Sequence, residues 1–223
     1  GANKGSLAID TGGLAWSWGN NYRGQLGINS TSNRSSPVAV VGGLTVASVS
    51  MGTEHATAID TAGGAWAWGR GSYGRLGANN VINRSSPVSV VGSHTFTKIS
   101  AGVRHTLALD SAGQAWGWGR NGEGQLGNFN YSNQSSPVSV VGGHTFTQIA
   151  AGRECSFALD TAGAVWVWGY GYHGSLGINT GDYVNFNSPQ ALLSITPPYP
   201  SSPLLYNQIT GSIGGSFAWG LAI

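Results

Sequence analysis

Charge is scarce in this chain. Asp, Glu, Lys and Arg make up 8% of its 223 residues, ten basic side chains against eight acidic ones, for a formal net charge of +2. So even a balance offers no strongly basic surface for phosphate neutralisation, and no nucleic-acid partner is expected. Cysteine is nearly absent. Cys155 stands alone, so there is no internal disulfide and cysteine usage does not decide the compartment. No apolar run approaches the roughly 20 residues that a membrane helix requires, and no membrane span is expected. The opening residues Gly1-Ala2-Asn3-Lys4-Gly5 lack an apolar h-region, so no signal peptide is expected there. Without an initiating Met, the chain reads as a processed or trimmed product. Helical apolar periodicity is missing as well.

Glycine and tryptophan are abundant instead, with 37 and nine copies. Nine tryptophans exclude a disordered low-complexity chain. The glycines show no three-residue period, which excludes collagen. A chain of 22.9 kDa buries about 70% of its extended surface on folding, enough for a core without disulfide or metal staples.

The dominant signal is an internal repeat of 50 residues. Trp16, Trp66, Trp116 and Trp166 keep this spacing, as do Trp18, Trp68, Trp118 and Trp168, each of the latter followed by Gly. Leu26-Gly27 recurs at Leu76, Leu126 and Leu176, and Ser35-Ser36-Pro37-Val38 recurs at Ser85 and Ser135. Asp10, Asp60, Asp110 and Asp160 keep the same register. In the fourth unit the Ser-Pro element slips to Ser188-Pro189, after an insertion near Gly181–Asn187.

Each unit reads as four short strands. In the second, Val46–Ser50 alternates apolar and polar residues, and His55–Ile59 follows after Gly52. Asp60-Thr61-Ala62-Gly63 is a turn signal. Ala65–Trp68 places both indoles on one face of a third strand. Pro87–Val91 reads as a fourth, with Pro87 at its first position. Four short strands in about 50 residues make a propeller blade.

The string Ala101-Gly102-Val103-Arg104-His105-Thr106-Leu107-Ala108-Leu109, then Trp116-Gly117-Trp118-Gly119 and Gly124-Gln125-Leu126-Gly127, resembles the regulator of chromosome condensation repeat. The resemblance implies an all-β propeller, usually of seven blades, with the tryptophans filling the space between blades. It also implies guanine-nucleotide exchange and chromatin contact, through a protruding wedge loop and individual residues that find no counterpart here.

The expected organisation is a propeller of about four 50-residue, four-stranded blades over 1–195, in units near 1–45, 46–95, 96–145 and 146–195. A Pro-rich linker and an apolar C-terminal strand follow over 196–223. Phe217, Trp219, Leu221 and Ile223 form a tail expected to close the ring or dock on a neighbour. A closed four-bladed ring, part of a larger ring and an open arc completed by other chains all remain open. All eight repeated tryptophans are expected in the structural core.

Chemistry is sparse. His55, His105 and Cys155 share one repeat position, which points to a local hydrogen bond at each blade joint rather than a metal site. The four aspartates each precede a Gly-containing turn and read as turn caps. Sequons at Asn29, Asn33, Asn83, Asn130 and Asn133 read as turn chemistry. No nucleophile elbow or phosphate loop occurs, so no enzyme, metal or cofactor is expected.

Two loops vary between units: one after Trp-x-Trp-Gly, the other after Leu-Gly. Propeller topology places the first of these, with the loop joining strands one and two, opposite the Asp turns. Arg23, Arg70, Arg104, Arg120 and Arg153 are therefore expected on one face with Tyr22, Tyr73, Tyr170 and Tyr172, as an interface for other proteins. The expected function is a non-enzymatic protein-binding or structural module, a virion appendage or secreted surface component. Its expected partners are other protein chains in a homo- or hetero-oligomer, or a cell-surface or glycan ligand. The alternative is an exchange factor or chromatin adaptor.

Overall fold

The computed structural model describes residues 5–178, 184–192, 209–211 and 220–222. It is all-β, and the described residues include no α-helix. The first sheet holds β1 (Gly5–Ile9), β2 (Ala15–Gly19) and β3 (Arg34–Ala39). The second holds β4 (Val46–Met51), β5 (His55–Asp60), β6 (Ala65–Gly69) and β7 (Arg84–Ser89). The third repeats this with β8 (Phe96–Ala101), β9 (His105–Asp110), β10 (Ala115–Gly119) and β11 (Gln134–Ser139). The fourth follows with β12 (Phe146–Ala151), β13 (Cys155–Asp160), β14 (Val165–Gly169) and β15 (Phe186–Ala191). A short antiparallel pair, β16 (Ile209–Gly211) and β17 (Gly220–Ala222), comes last. Strands within each sheet are antiparallel and lie in chain order, the blade arrangement of a propeller.

Strand alternation builds the core between blades. Along β6, Trp68 is fully buried while Trp66 is half-buried. Trp68 joins Ala15 of the first sheet and Val46, Ala56 and Ala58 of the second in one cluster. Trp118 and Trp168 do the same at the next two joints. Each indole lies against the Gly-x-Leu-Gly element of the preceding blade. A Cβ added to Gly77 would sit 2.9 Å from the Trp118 ring nitrogen, so only glycine lets the backbone approach so closely. The eight tryptophans are thus not equivalent. Trp68, Trp118 and Trp168 are enclosed, whereas Trp16, Trp66, Trp116 and Trp166 are half-buried. Trp18 is also half-buried and meets no such glycine element among the described residues.

The fourth strand differs from the reading above. β7 begins at Arg84, so Pro87 lies inside it. The position is tolerated because β7 is the outer edge strand, with β6 its one neighbouring strand in the sheet, and its register shifts between Ala67 and Gly69. A missing N–H at an edge breaks no ladder.

Packing runs from each sheet to the next: β1 on β4, β5 on β8, β9 on β12, with β16 against β12 and β13. No comparable packing joins the first sheet to the fourth among the described residues, so these sheets form an arc. β16 occupies the place of an innermost strand of a following unit. Of the expected docking tail, Phe217, Trp219 and Ile223 lie outside the described residues, as does most of the Pro-rich segment, while Leu221 falls within β17.

Candidate interaction face

The Asp turns shape one end of every blade. Asp60 Oδ1 accepts the Ala62 and Gly64 amides at 2.9 and 2.8 Å, and Oδ2 accepts the Trp66 indole N–H at 2.8 Å. The same bonds recur at Asp10, Asp110 and Asp160. Partial burial pushes the Asp60 carboxyl up, but the indole and amide donors outweigh it and hold it below the usual range. At Asp10 the Trp16 indole is the main cause of the same lowering. These aspartates are fasteners, with both carboxylate oxygens engaged in their own turn.

The opposite end carries the long loops, and asparagines brace them. Asn21 Nδ2 donates to the Ser30 and Ser32 carbonyls at 2.8 and 3.0 Å, and its Oδ1 accepts the Leu26 amide. Asn33 Oδ1 accepts the Asn21 amide at 2.8 Å, and Asn83 and Asn133 do the same for Gly71 and Asn121. These three sequon asparagines are thus turn fasteners.

The joints between blades hold the histidines. His55 Nε2 lies 3.0 Å from Thr106 Oγ1, and Thr106 donates its hydroxyl to the Arg75 carbonyl at 3.1 Å. His105 Nε2 lies 3.0 Å from Ser156 Oγ, which donates to the Gln125 carbonyl at 2.7 Å. With each hydroxyl proton committed, the histidine must be the donor, which fixes a neutral ring protonated at Nε2. Both Nδ1 atoms are buried without a partner. Burial holds His55 well below its usual pKa and His105 at about 3. Cys155, at the equivalent position, is buried, and burial pushes its thiol up to about 12. Among the described residues no group of His, Cys, Asp or Glu is arranged to hold a metal ion. No helix of the described residues is long and apolar enough to cross a membrane.

The loop end gathers the predicted arginines, and the structure adds carboxylates that the sequence reading missed. Glu54 faces Arg70 at 2.6 Å, Arg23 at 3.8 Å and Arg75 at 3.9 Å. Glu154 faces Arg104 at 2.9 Å and pairs with Arg120, which also meets Glu123 at 3.1 Å. Glu54, Arg104 and Glu154 occupy one repeat position, so charge alternates from blade to blade. That alternation was the available signal. Arg75, where Gln25 and Gln125 stand in neighbouring units, is also new to the site. Its side chain is 1% exposed, donates to the Ser72 and Val103 carbonyls, and lies 5.6 Å from the Tyr73 ring. Burial, then the nearby Arg70 charge, brings its pKa down to about 10.

Aromatic and aliphatic side chains stand among these charges. Tyr22 is 71% exposed and Tyr73 is exposed, while Tyr170 and Tyr172 stack at 4.9 Å. Arg153, on the loop before β13, is engaged with neighbours rather than free. Val81, Ile82, Phe129, Tyr131 and Val184 are exposed in the loops that follow Leu-Gly. Apart from Leu14 and Val41, every exposed large hydrophobic residue described lies at the loop end.

A sequence profile described as the Regulator of chromosome condensation (RCC1) repeat matches residues 12–59, 62–109 and 112–159. A second profile of the same description matches 46–75 and 96–125. No curated protein matches the sequence. Among solved structures, human WBSCR16 superposes with a TM-score of 0.81 at 21% identity over 96% of this chain and 55% of its own. Prp20p from Saccharomyces cerevisiae, in a structure reported with its binding to Gsp1p and histones, gives 0.81 at 19% identity over 100% and 54%. Yeast RCC1 (Prp20) bound to Kap60 gives 0.81 at 18% over 100% and 53%. The chain spans about half the length of these structures. With three profile matches covering more than half its length, the chain belongs to the regulator of chromosome condensation (RCC1) repeat family.

Proposed function

We propose that this propeller works by binding other protein chains through its loop face and performs no catalysis itself. The observation that carries the reading is the collection of exposed aromatic and aliphatic side chains at that end of the blades, among arginines held by Glu54 and Glu154. Large apolar side chains and arginines are the groups that anchor protein interfaces, and a rigid scaffold holding variable loops suits that use. The charge-poor composition, rich in glycine, supports the finer reading of an assembled surface or virion component acting outside the cytoplasm. The likeness to Prp20, whose structures concern Kap60, Gsp1p and histones, supports the second reading of an exchange or chromatin adaptor through the shared fold only.

Affinity capture with the purified chain and with a Tyr22→Ala/Tyr170→Ala variant as baits tests the proposal. Proteins retained by the parent chain and lost by the variant are the expected outcome. Equal capture by both baits, with loss only on altering the Asp-turn end, overturns it. Imaging the captured assembly separates the finer readings. Many copies around an axis fit a surface or virion component, whereas a one-to-one complex with a GTPase or histones fits the adaptor.

A further inference from the structure

We infer that the partner on this face is a protein whose contact surface sets carboxylates around an apolar patch, and that Tyr73 and Phe129 are the side chains that enter the patch. The inference rests on the proposal above that the loop face is the binding face.

The first support is the segregation of charge. Strand direction decides which end of a blade each charged residue occupies. Arg34 and Arg84 open the outer strands at the loop end, and the remaining arginines lie in the loops there. Among the described residues that end holds all eight arginines and all three glutamates, a formal +5. The turn end holds four aspartates and Lys98, a formal −3. A chain of low charge content and net +2 is therefore polarised end to end. The +5 already subtracts the loop-end carboxylates, of which Glu54 faces three guanidiniums and Glu154 two. Such a field draws in an acidic surface and opposes a basic one.

The second support is the backbone beneath two aromatic rings. Asn29, Asn79 and Phe129 share a repeat position, and all three adopt left-handed φ, at 54°, 56° and 61°. Asparagine tolerates this conformation, whereas a bulky side chain does not. Phe129 is nevertheless 67% exposed, so its own fold gives it little burial in return. Tyr73, at a different repeat position in the second blade, also holds left-handed φ, at 66°, and is 39% exposed, with the Arg75 guanidinium near its ring. The left-handed turn itself serves the fold, since the Asn29, Asn79 and Phe129 amides donate to the Ser85, Ser135 and Asn187 carbonyls of the next blade at 2.7, 2.8 and 2.8 Å. Asparagine serves it equally, however, so an exposed phenyl ring at that position points to function, and burial on a partner would compensate its strain. The rings on this face would also stack on bases, but Val81 and Ile82, exposed in an adjoining loop, are aliphatic and suit the apolar centre of a protein interface, which favours a protein surface over a nucleic acid.

Selection of short peptides from a random display library on the purified chain tests this. Phe129→Asn restores the residue that the three other units carry at this position, so its melting temperature should match or exceed that of the parent. Enriched peptides should combine Asp or Glu with Leu or Phe. They should bind at least about tenfold more weakly to Phe129→Asn and to Arg34→Gln/Arg84→Gln, and weaken with added salt. Enrichment of basic or uncharged peptides that still respond to loop-end variants overturns the acidic partner and leaves the face standing. Peptides indifferent to every loop-end variant overturn the binding face itself. Failure to enrich any peptide overturns the inference, as does binding of a labelled oligothymidylate that these same variants abolish.

Discussion

Trp116 and Trp118 lie two residues apart on one strand and answer to different surroundings. Trp118 is enclosed between two blades with Phe96 and Ala108. Trp116 is half-buried, its indole N–H on the Asp110 carboxylate at 3.0 Å and the His94 ring tilted against it with centroids 3.9 Å apart. Trp118→Ala should therefore cost about 3–5 kcal/mol, the usual penalty for emptying a large enclosed site, and Trp116→Ala should cost less. Urea unfolding of the two variants measures the difference, and equal losses would contradict the assignment. Cys155 offers a second check at this scale. Its buried thiol is held up to about 12, so the nucleophilic thiolate is absent at mildly alkaline pH. Iodoacetamide should leave it unmodified in the native chain and alkylate it fully in denaturant, as read by intact mass.

At the scale of elements, the blade joints make stability depend on pH. Both joint histidines are neutral in the fold, with pKa values held far below the ordinary value of about 6.5. The unfolded chain binds protons more readily, so stability is complete above about pH 6.5 and declines as pH falls toward about 3. The lowered aspartates of the turns add a further loss below about pH 4. Thermal melts across this range should show the decline, and a His55→Gln/His105→Gln variant should flatten its upper part. Most of this architecture was legible in the sequence, because blades, Asp turns and Trp–Gly joints recur at fixed spacing and each copy confirms the others. Features that occur once were harder to read. Glu54 and Glu154 looked like ordinary loop residues because their partners come from other loops, Arg23 from the preceding blade and Arg104 and Arg120 likewise. The left-handed backbone of Phe129 is not signalled by its own residue type, and only the asparagines in the same register of the other units mark it. Pro87 was misplaced because periodicity cannot reveal which strand is the edge.

At the scale of the whole molecule, the arc makes cooperativity directional. Each hydrophobic joint cluster draws on two adjacent sheets, and no cluster spans more than one joint. In such a quasi-one-dimensional stack, stability is a sum of blade terms and nearest-neighbour joint terms. A defect at one joint then loosens the blades beside it and is diluted along the series. A closed ring behaves otherwise, because opening any joint releases a constraint that every blade shares. Trp168→Ala empties the joint between the third and fourth sheets. Hydrogen exchange should then accelerate in β12–β15 and at the adjoining edge of the third sheet, while β1–β6 keep the protection of the parent chain. Trp68→Ala should give the mirror pattern, fast in the first two sheets and unchanged in the fourth. Uniform acceleration of all four sheets in both variants would mean that the ends of the arc are joined in solution, and that the interaction face belongs to a closed ring.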